Sequence, residues 1–176
     1  GLERGIGARP PIATGTALVG GPFSLVDHTG KAVTDADFRG RHMLVMFGFT
    51  ACPDDCPAAL QVMAAALDRI GAKAERVVPL FITLDPERDG PERLARYLPN
   101  FHPRLVGLTG SRAAIEAVAK AYRVYSRRVD DAGSAAGYTL DHSSYVYLMD
   151  ARGRYVTHFP HITPSEEIAA SLRKVL

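Results

Sequence analysis

The sequence predicts an α/β domain with a central mixed sheet, and three observations carry that prediction. Two apolar runs, residues 43–49 and 77–84, flank one amphipathic helical pattern. A turn signature, Asp150-Ala151-Arg152-Gly153, separates two short strand patterns. A further helical segment closes the chain. Short connections and right-handed crossovers leave few topologies for such an order.

Residues 1–20 mix Gly, Pro, Ala and Thr without periodicity and are expected to form a flexible leader to a domain over 21–176. Residues 23–26 alternate as a short strand, His28-Thr29-Gly30-Lys31 supplies a turn, and a second short strand follows, giving an N-terminal hairpin. The run 43–49 has the length and aromatic content of a strand buried on both faces, as in parallel sheets. A helix is expected over 57–70, because Pro57 suits a first helical position and Gly71 the residue past the end. Leu60, Met63, Ala64, Leu67 and Ile70 share one face and should pack on the sheet, with Met63 as core rather than ligand.

The second buried strand, 77–84, closes at Asp85-Pro86. A short helix over 91–98, a brief strand over 105–108 and a helix over 112–122 capped by Ser111 follow. Residues 126–140 are polar and Gly/Ala-rich, and read as a long loop or a loose hairpin. Residues 145–149 and 154–158 form an antiparallel hairpin. The last helix starts at Thr163 or Pro164, where Thr163 and Glu166 have capping-box spacing.

A chain of 176 residues suits one domain. Its 47% hydrophobic and 23% charged residues are ordinary for a globular protein. A net charge of +2, with no basic stripe, argues against nucleic acid as a partner. No apolar stretch is long enough to span a bilayer, and residues 1–19 lack the pattern of an intact signal peptide. The first residue is Gly rather than Met, so an anchor upstream is an open expectation.

The two cysteines, four residues apart, make no disulfide framework and read as a site. Thr50-Ala51-Cys52-Pro53-Asp54-Asp55-Cys56-Pro57 lies at a strand-to-helix junction, where α/β proteins place their sites. Pro57 inside a helix begun at Pro53 would clash with the carbonyl of residue 53. Both cysteines are therefore expected on a turn leading into the helix. Free N–H groups and the helix dipole there favour thiolates, which are both nucleophiles and metal ligands. Asp54 and Asp55 work against that effect.

The spacing alone does not separate redox work from metal binding, and a third ligand is the discriminator. Among six histidines, His142 in Asp141-His142-Ser143-Ser144 is best placed, directly before a buried strand. His28 and His42 are expected to face solvent, and His102, His158 and His161 read as ordinary loop or strand-end residues. A Cys52/Cys56/His142 set suits Cu(I), with Zn(II) and Ni(II) also open. A structural zinc normally takes four protein ligands, so this site is expected to be open and exchangeable. As a catalytic redox pair, one of Cys52 and Cys56 attacks a disulfide and the other resolves it.

Four segments together resemble the Sco/SenC family. They are Gly21-Pro22-Phe23-Ser24-Leu25 with Gly30-Lys31; Phe49 through Pro57; Thr83-Leu84-Asp85-Pro86-Glu87-Arg88-Asp89; and Tyr138-Thr139-Leu140-Asp141-His142-Ser143-Ser144. The resemblance implies a thioredoxin-like fold with a long insertion before the last hairpin. It implies copper held by Cys52, Cys56 and His142. It also implies a role in supplying copper to, or reducing the cysteines of, the Cu-A site in subunit II of cytochrome c oxidase. A redox or copper sensor is the third reading. Asp85 matches an acidic position near which partner contact is expected. The resemblance further implies a bacterial periplasmic protein held by an upstream anchor, or one of the mitochondrial intermembrane space. Other copper chaperones are expected as partners, and the chain is expected to be a monomer. Thioredoxins differ in their C-x-x-C spacing, and peroxiredoxins need Thr where Phe49 stands.

Overall fold

The computed structural model describes residues 19–53, 55–130, 138–142 and 145–176, and at 129–130 and 138–142 the backbone alone. In chain order the elements are β1 (Ser24–Asp27), β2 (Ala32–Thr34), β3 (His42–Gly48), α1 (Asp55–Ile70), β4 (Val77–Thr83), α2 (Pro91–Tyr97), β5 (Val106–Thr109), α3 (Arg112–Ala121), β6 (Ser126–Asp130), β7 (Tyr138–His142), β8 (Tyr145–Met149), β9 (Tyr155–Pro160) and α4 (Ser165–Val175). Seven strands form one sheet in the order β2-β1-β5-β4-β3-β8-β9. The central three, β5, β4 and β3, run parallel. Strand β8 joins β3 antiparallel, β9 joins β8, and the β1–β2 hairpin joins β5.

Side-chain alternation on the central strands divides the core in two. Leu44 and Met46 of β3 face α1, α2 and α4, together with Phe81, Val146 and Leu148. Met43, Val45 and Phe47 face α3 and the N-terminal hairpin, together with Leu80, Ile82 and Tyr147. Both faces of β3 and β4 are buried, as their unbroken apolar runs require. Each such side chain contributes about 1.5–3 kcal/mol on burial, an upper value because unfolded chains already hide some surface. Met63 is fully buried in the α1 side of the core, as expected.

Two expectations need correction, and a third, left open between a loop and a loose hairpin, is narrowed. Helix α1 begins at Asp55, two residues before Pro57. Proline is tolerated there because first-turn N–H groups have no intrahelical acceptor, and residue 53 stays outside the helix. Residues 126–142 include a regular antiparallel pair, with Ser126 opposite His142 and Asp130 opposite Tyr138, so the looser of the two expectations gives way to a hairpin. The Thr163–Glu166 capping box does not form. Instead the Thr163 hydroxyl donates back to the Pro160 carbonyl at 2.7 Å, and Pro164 takes the N-cap position. By contrast, Ser111 caps α3 by accepting the Ala114 N–H at 3.0 Å.

Residues 1–18 of the expected leader lie outside the described residues. Val19 packs against the core and the Gly20 N–H donates to the Ala121 carbonyl at 2.9 Å, so the last part of that segment belongs to the domain. Among the described residues no helix is long and apolar enough to cross a membrane.

Candidate metal-binding dithiol site

The parallel strands β3 and β4 end side by side at Gly48 and Thr83, and the Leu84 N–H donates to the Gly48 carbonyl at 2.8 Å. The loop after β3 carries Cys52, and the first turn of α1 carries Cys56. Neither is in a disulfide. Cys52 is 9% exposed and Cys56 only 1%. The backbone N–H of Cys56 donates to the Cys52 sulfur at 3.4 Å, so the helix N-terminus offers a donor to that sulfur. The side-chain hydrogen bond to Cys52 holds the Cys56 thiol far above its usual range, and burial then adds to the rise, as do the charges of Cys52 and Asp55. The two cysteines are thus unlike: Cys52 is the less deeply buried and its sulfur is supplied with a donor, and Cys56 is sealed in the core.

Gly48 explains how the inner sulfur fits. A Cβ at that position would lie 2.6 Å from Cys56 Sγ and 3.1 Å from Phe81 Cε1. The sulfur therefore occupies the space a side chain would take. On the same side, Tyr97 leans on Phe81 and Phe101, with ring centroids 6.1 and 5.2 Å away. Its hydroxyl is buried without a hydrogen-bond partner among the described residues. Burial pushes its phenol above the usual range, and the charges of Cys56 and Cys52 push it further.

The loop after β4 forms the neighbouring wall. Asp85, the expected contact position, is only 1% exposed, and Arg88 binds its carboxylate. Arg88 in turn lies over the Phe49 ring at 6.0 Å. Glu87, two residues after Asp85, is exposed. Asp89 is fully buried and accepts from the Thr50 N–H at 3.0 Å, the Thr50 hydroxyl at 2.6 Å and the Thr83 hydroxyl at 2.7 Å. Asp89, Thr50 and Thr83 lie in the segments that carry the resemblance, but their sequence context gave none of them a role in the site.

On the far side of Cys56, a small cleft is lined by Asp55, Cys56, Tyr145, Val146 and His161. His161, read from sequence as an ordinary loop residue, stands with Nε2 at 3.8 Å from Asp55 Oδ1. Ile162 beside it is 78% exposed. His28, His42, His102 and His158 are not among the residues that line this cleft. His28 is half-buried rather than solvent-facing, because its Nδ1 accepts the Gly107 N–H at 3.1 Å. His42 is also half-buried, as the first residue of β3. A larger cavity of about 470 Å³, lined by Ile115, Lys120, Arg123 and Tyr125 among others, shares no residue with the cysteine cleft.

The side chain of His142 lies outside the described residues, as do Asp54, Ser143 and Ser144. Its backbone ends β7 opposite Ser126. Three residues later Tyr145 opens β8, whose Val146 pairs with Met46, two residues before Gly48. Chain connectivity keeps the His142 Cα within about 11 Å of that of Tyr145. The strand ends bearing both cysteines, the Asp85–Asp89 loop and the start of β8 therefore share one edge of the sheet, the edge where open α/β sheets place ligands.

A family model described as SCO1/SenC matches residues 12–176. The chain belongs to the SCO1/SenC family. Protein sco1 of Schizosaccharomyces pombe is 44% identical over 162 residues, which cover 90% of this chain and 61% of the yeast protein. The chain thus spans less than two thirds of that relative. The structure of Bradyrhizobium japonicum ScoI with copper bound matches with a TM-score of 0.83 at 44% identity, covering 90% of this chain and 99% of that one. Arabidopsis thaliana ScoI with copper bound matches with a TM-score of 0.84 at 39% identity, covering 89% and 96%. The thioredoxin-like fold expected from the sequence is the fold of these SCO1/SenC structures.

Proposed function

We propose that this SCO1/SenC protein is a copper metallochaperone for cytochrome c oxidase, carrying one copper ion as cargo on Cys52, Cys56 and His142. The observation that carries the reading is the pair of unbridged cysteines at one helix N-terminus, where the Cys56 backbone N–H donates to the Cys52 sulfur. The 44% identity to a copper-bound relative supports it. Two sulfurs suit Cu(I), and a single imidazole completes a three-coordinate, exchangeable site. Binding displaces the thiol protons, so affinity falls as pH drops.

Delivery to the Cu-A site of oxidase subunit II proceeds by stepwise ligand exchange. A partner thiolate approaches from the side of Cys52, the more exposed sulfur. Cys56, sealed against Gly48 and Phe81, lets go last. Docking uses the segment around Asp85, where Glu87 faces outward. The protein acts as a monomer in the bacterial periplasm, tethered by an upstream anchor, or in the equivalent mitochondrial space.

The asymmetry of the thiols also favours a second reading, reduction of a partner disulfide. Cys52 attacks, and Cys56 resolves the mixed disulfide, releasing two partner thiols and leaving Cys52 and Cys56 joined. Copper titration of the reduced protein beside His142→Ala separates the two. A one-to-one complex with sulfur-to-copper charge-transfer absorption, lost or greatly weakened in the variant, supports the chaperone. Binding untouched by the substitution removes His142 from the site and moves the reductase to first place.

A further inference from the structure

We propose that Asp89 is the positioning residue of the dithiol, its buried carboxylate fixing the Cys52 sulfur by gripping Thr50. The carboxylate is fully buried and lies 39 residues along the chain from the threonine it holds. One oxygen takes the Thr50 hydroxyl at 2.6 Å. The other takes the Thr50 N–H at 3.0 Å and the Thr83 hydroxyl at 2.7 Å. Arg93 Nε stands 3.7 Å from the first oxygen and offsets its charge.

Asp89 is itself held on three sides. Its N–H donates to the Asp85 carbonyl at 2.9 Å, its carbonyl accepts the Thr109 hydroxyl at 2.7 Å, and Thr83 ends β4. Of all these bonds, only those to Thr50 reach the cysteine loop. Thr50 is two residues from Cys52, whose N–H closes the same turn on the Phe49 carbonyl at 3.1 Å. Charge-assisted bonds to two donors of one residue fix its orientation as well as its place. Cys56 has a rigid seat of its own in α1 against Gly48. Asp89 thus sets where the loop cysteine of the pair stands.

The proposal rests on Cys52 and Cys56 being the working pair, but not on copper. Its test is the thiol–disulfide equilibrium of the whole chain with glutathione. The reduced pair and one oxidised glutathione give the Cys52–Cys56 disulfide and two reduced glutathiones. Two electrons and two protons pass from the protein thiols to the glutathione sulfurs. Wild type, Thr50→Val, Asp89→Asn and the double variant are equilibrated in glutathione buffers, quenched by alkylation and weighed by mass spectrometry, with melting temperatures measured alongside.

Loss of positioning lowers the constant for the intramolecular disulfide by about fivefold or more in each single variant. The double variant shows no larger shift than the stronger single one, because both remove the same link. Constants within about twofold of wild type, with lowered melting temperatures, would make Asp89 a structural residue only and overturn the proposal. Additive shifts in the double variant would also overturn it, since Asp89 would then not act through Thr50. Should Asp89→Asn fail to fold, Thr50→Val decides alone: an unchanged constant refutes the proposal, and the expected fall supports it. A wild-type chain that forms no Cys52–Cys56 disulfide would overturn the reading of the pair itself, and this proposal with it.

Discussion

Replacing Gly48 by Ala should test the seating of the inner sulfur most directly. The added methyl carbon would stand 2.6 Å from Cys56 Sγ, 3.1 Å from Phe81 Cε1 and 3.4 Å from Cys56 Cβ. Ordinary carbon contacts lie near 3.5–4.0 Å, so the sulfur must withdraw by about 1 Å. It has little room, because Cys56 is 1% exposed and its Cα is fixed in the first turn of α1. Phe81 is fully buried and yields no more easily. Overpacking of this kind costs about 1–3 kcal/mol. For a domain of this size that lowers Tm by about 2–12 °C. Calorimetry of the reduced, copper-free protein reads the effect, and a copper titration then shows whether the displaced sulfur still binds. Gly90→Ala is the control, since a methyl there meets nothing within 4 Å. A Gly48→Ala protein with wild-type Tm and wild-type copper affinity would refute the claim that the bare strand end makes room for Cys56.

Alkylation of the reduced protein near pH 8 should modify Cys52 well before Cys56, because Cys56 is buried and its thiol is held far above the usual range; peptide mass spectrometry at timed quenches checks this, and equal rates would contradict it. Tyr97→Phe removes a buried hydroxyl that has no partner among the described residues, so stability should be unchanged or higher by up to about 1 kcal/mol. A loss of more than about 1 kcal/mol in urea unfolding would show that the hydroxyl is satisfied after all. The Glu87 carboxyl is held below its ordinary value of 4.5, chiefly by the hydrogen bond from Arg112. A lowered folded-state value means stabilisation that is present above the ordinary value and lost as pH falls through the folded one. Glu87→Gln should therefore cost less than about 1 kcal/mol at pH 7, the pair being exposed, and nothing at pH 2–3. A gap that widens in acid would be contrary to this sign.

Where local chemistry decided the outcome, the sequence was a good guide. The runs that became β3 and β4 are apolar apart from His42 and Thr83 at strand ends, because both faces are covered. Ser111 caps α3 by accepting the Ala114 N–H, a bond between residues three apart that the local sequence is enough to predict. Thr163 had the same credentials, yet the Pro160 carbonyl lies within reach and takes its hydroxyl, an option that only the path of the preceding strand creates. The start of α1 was misjudged because a proline two residues inside a helix is as harmless as one at its first position. Within the site, the cysteines stood out by spacing and punctuation. Asp89 lay in a recognised segment, but its hold on Thr50, 39 residues away, was not legible, because no periodicity links them. His161 was likewise invisible as a neighbour of Asp55, since antiparallel pairing of β8 and β9 brings it back to that edge.

The N-terminal hairpin has a consequence for solution behaviour. Strand β5 is the last of the three parallel strands, and β1 lies along its outer side through Val26–Thr109 and Asp27–Leu108. Without that cover, β5 would present a row of unsatisfied amides, a template for another chain. With it, the outermost strand on that side is β2, only three residues long with two of them exposed. So short a border offers little purchase for a second molecule. A hairpin that precedes the cysteine loop thus guards this edge of the sheet against edge-to-edge stacking.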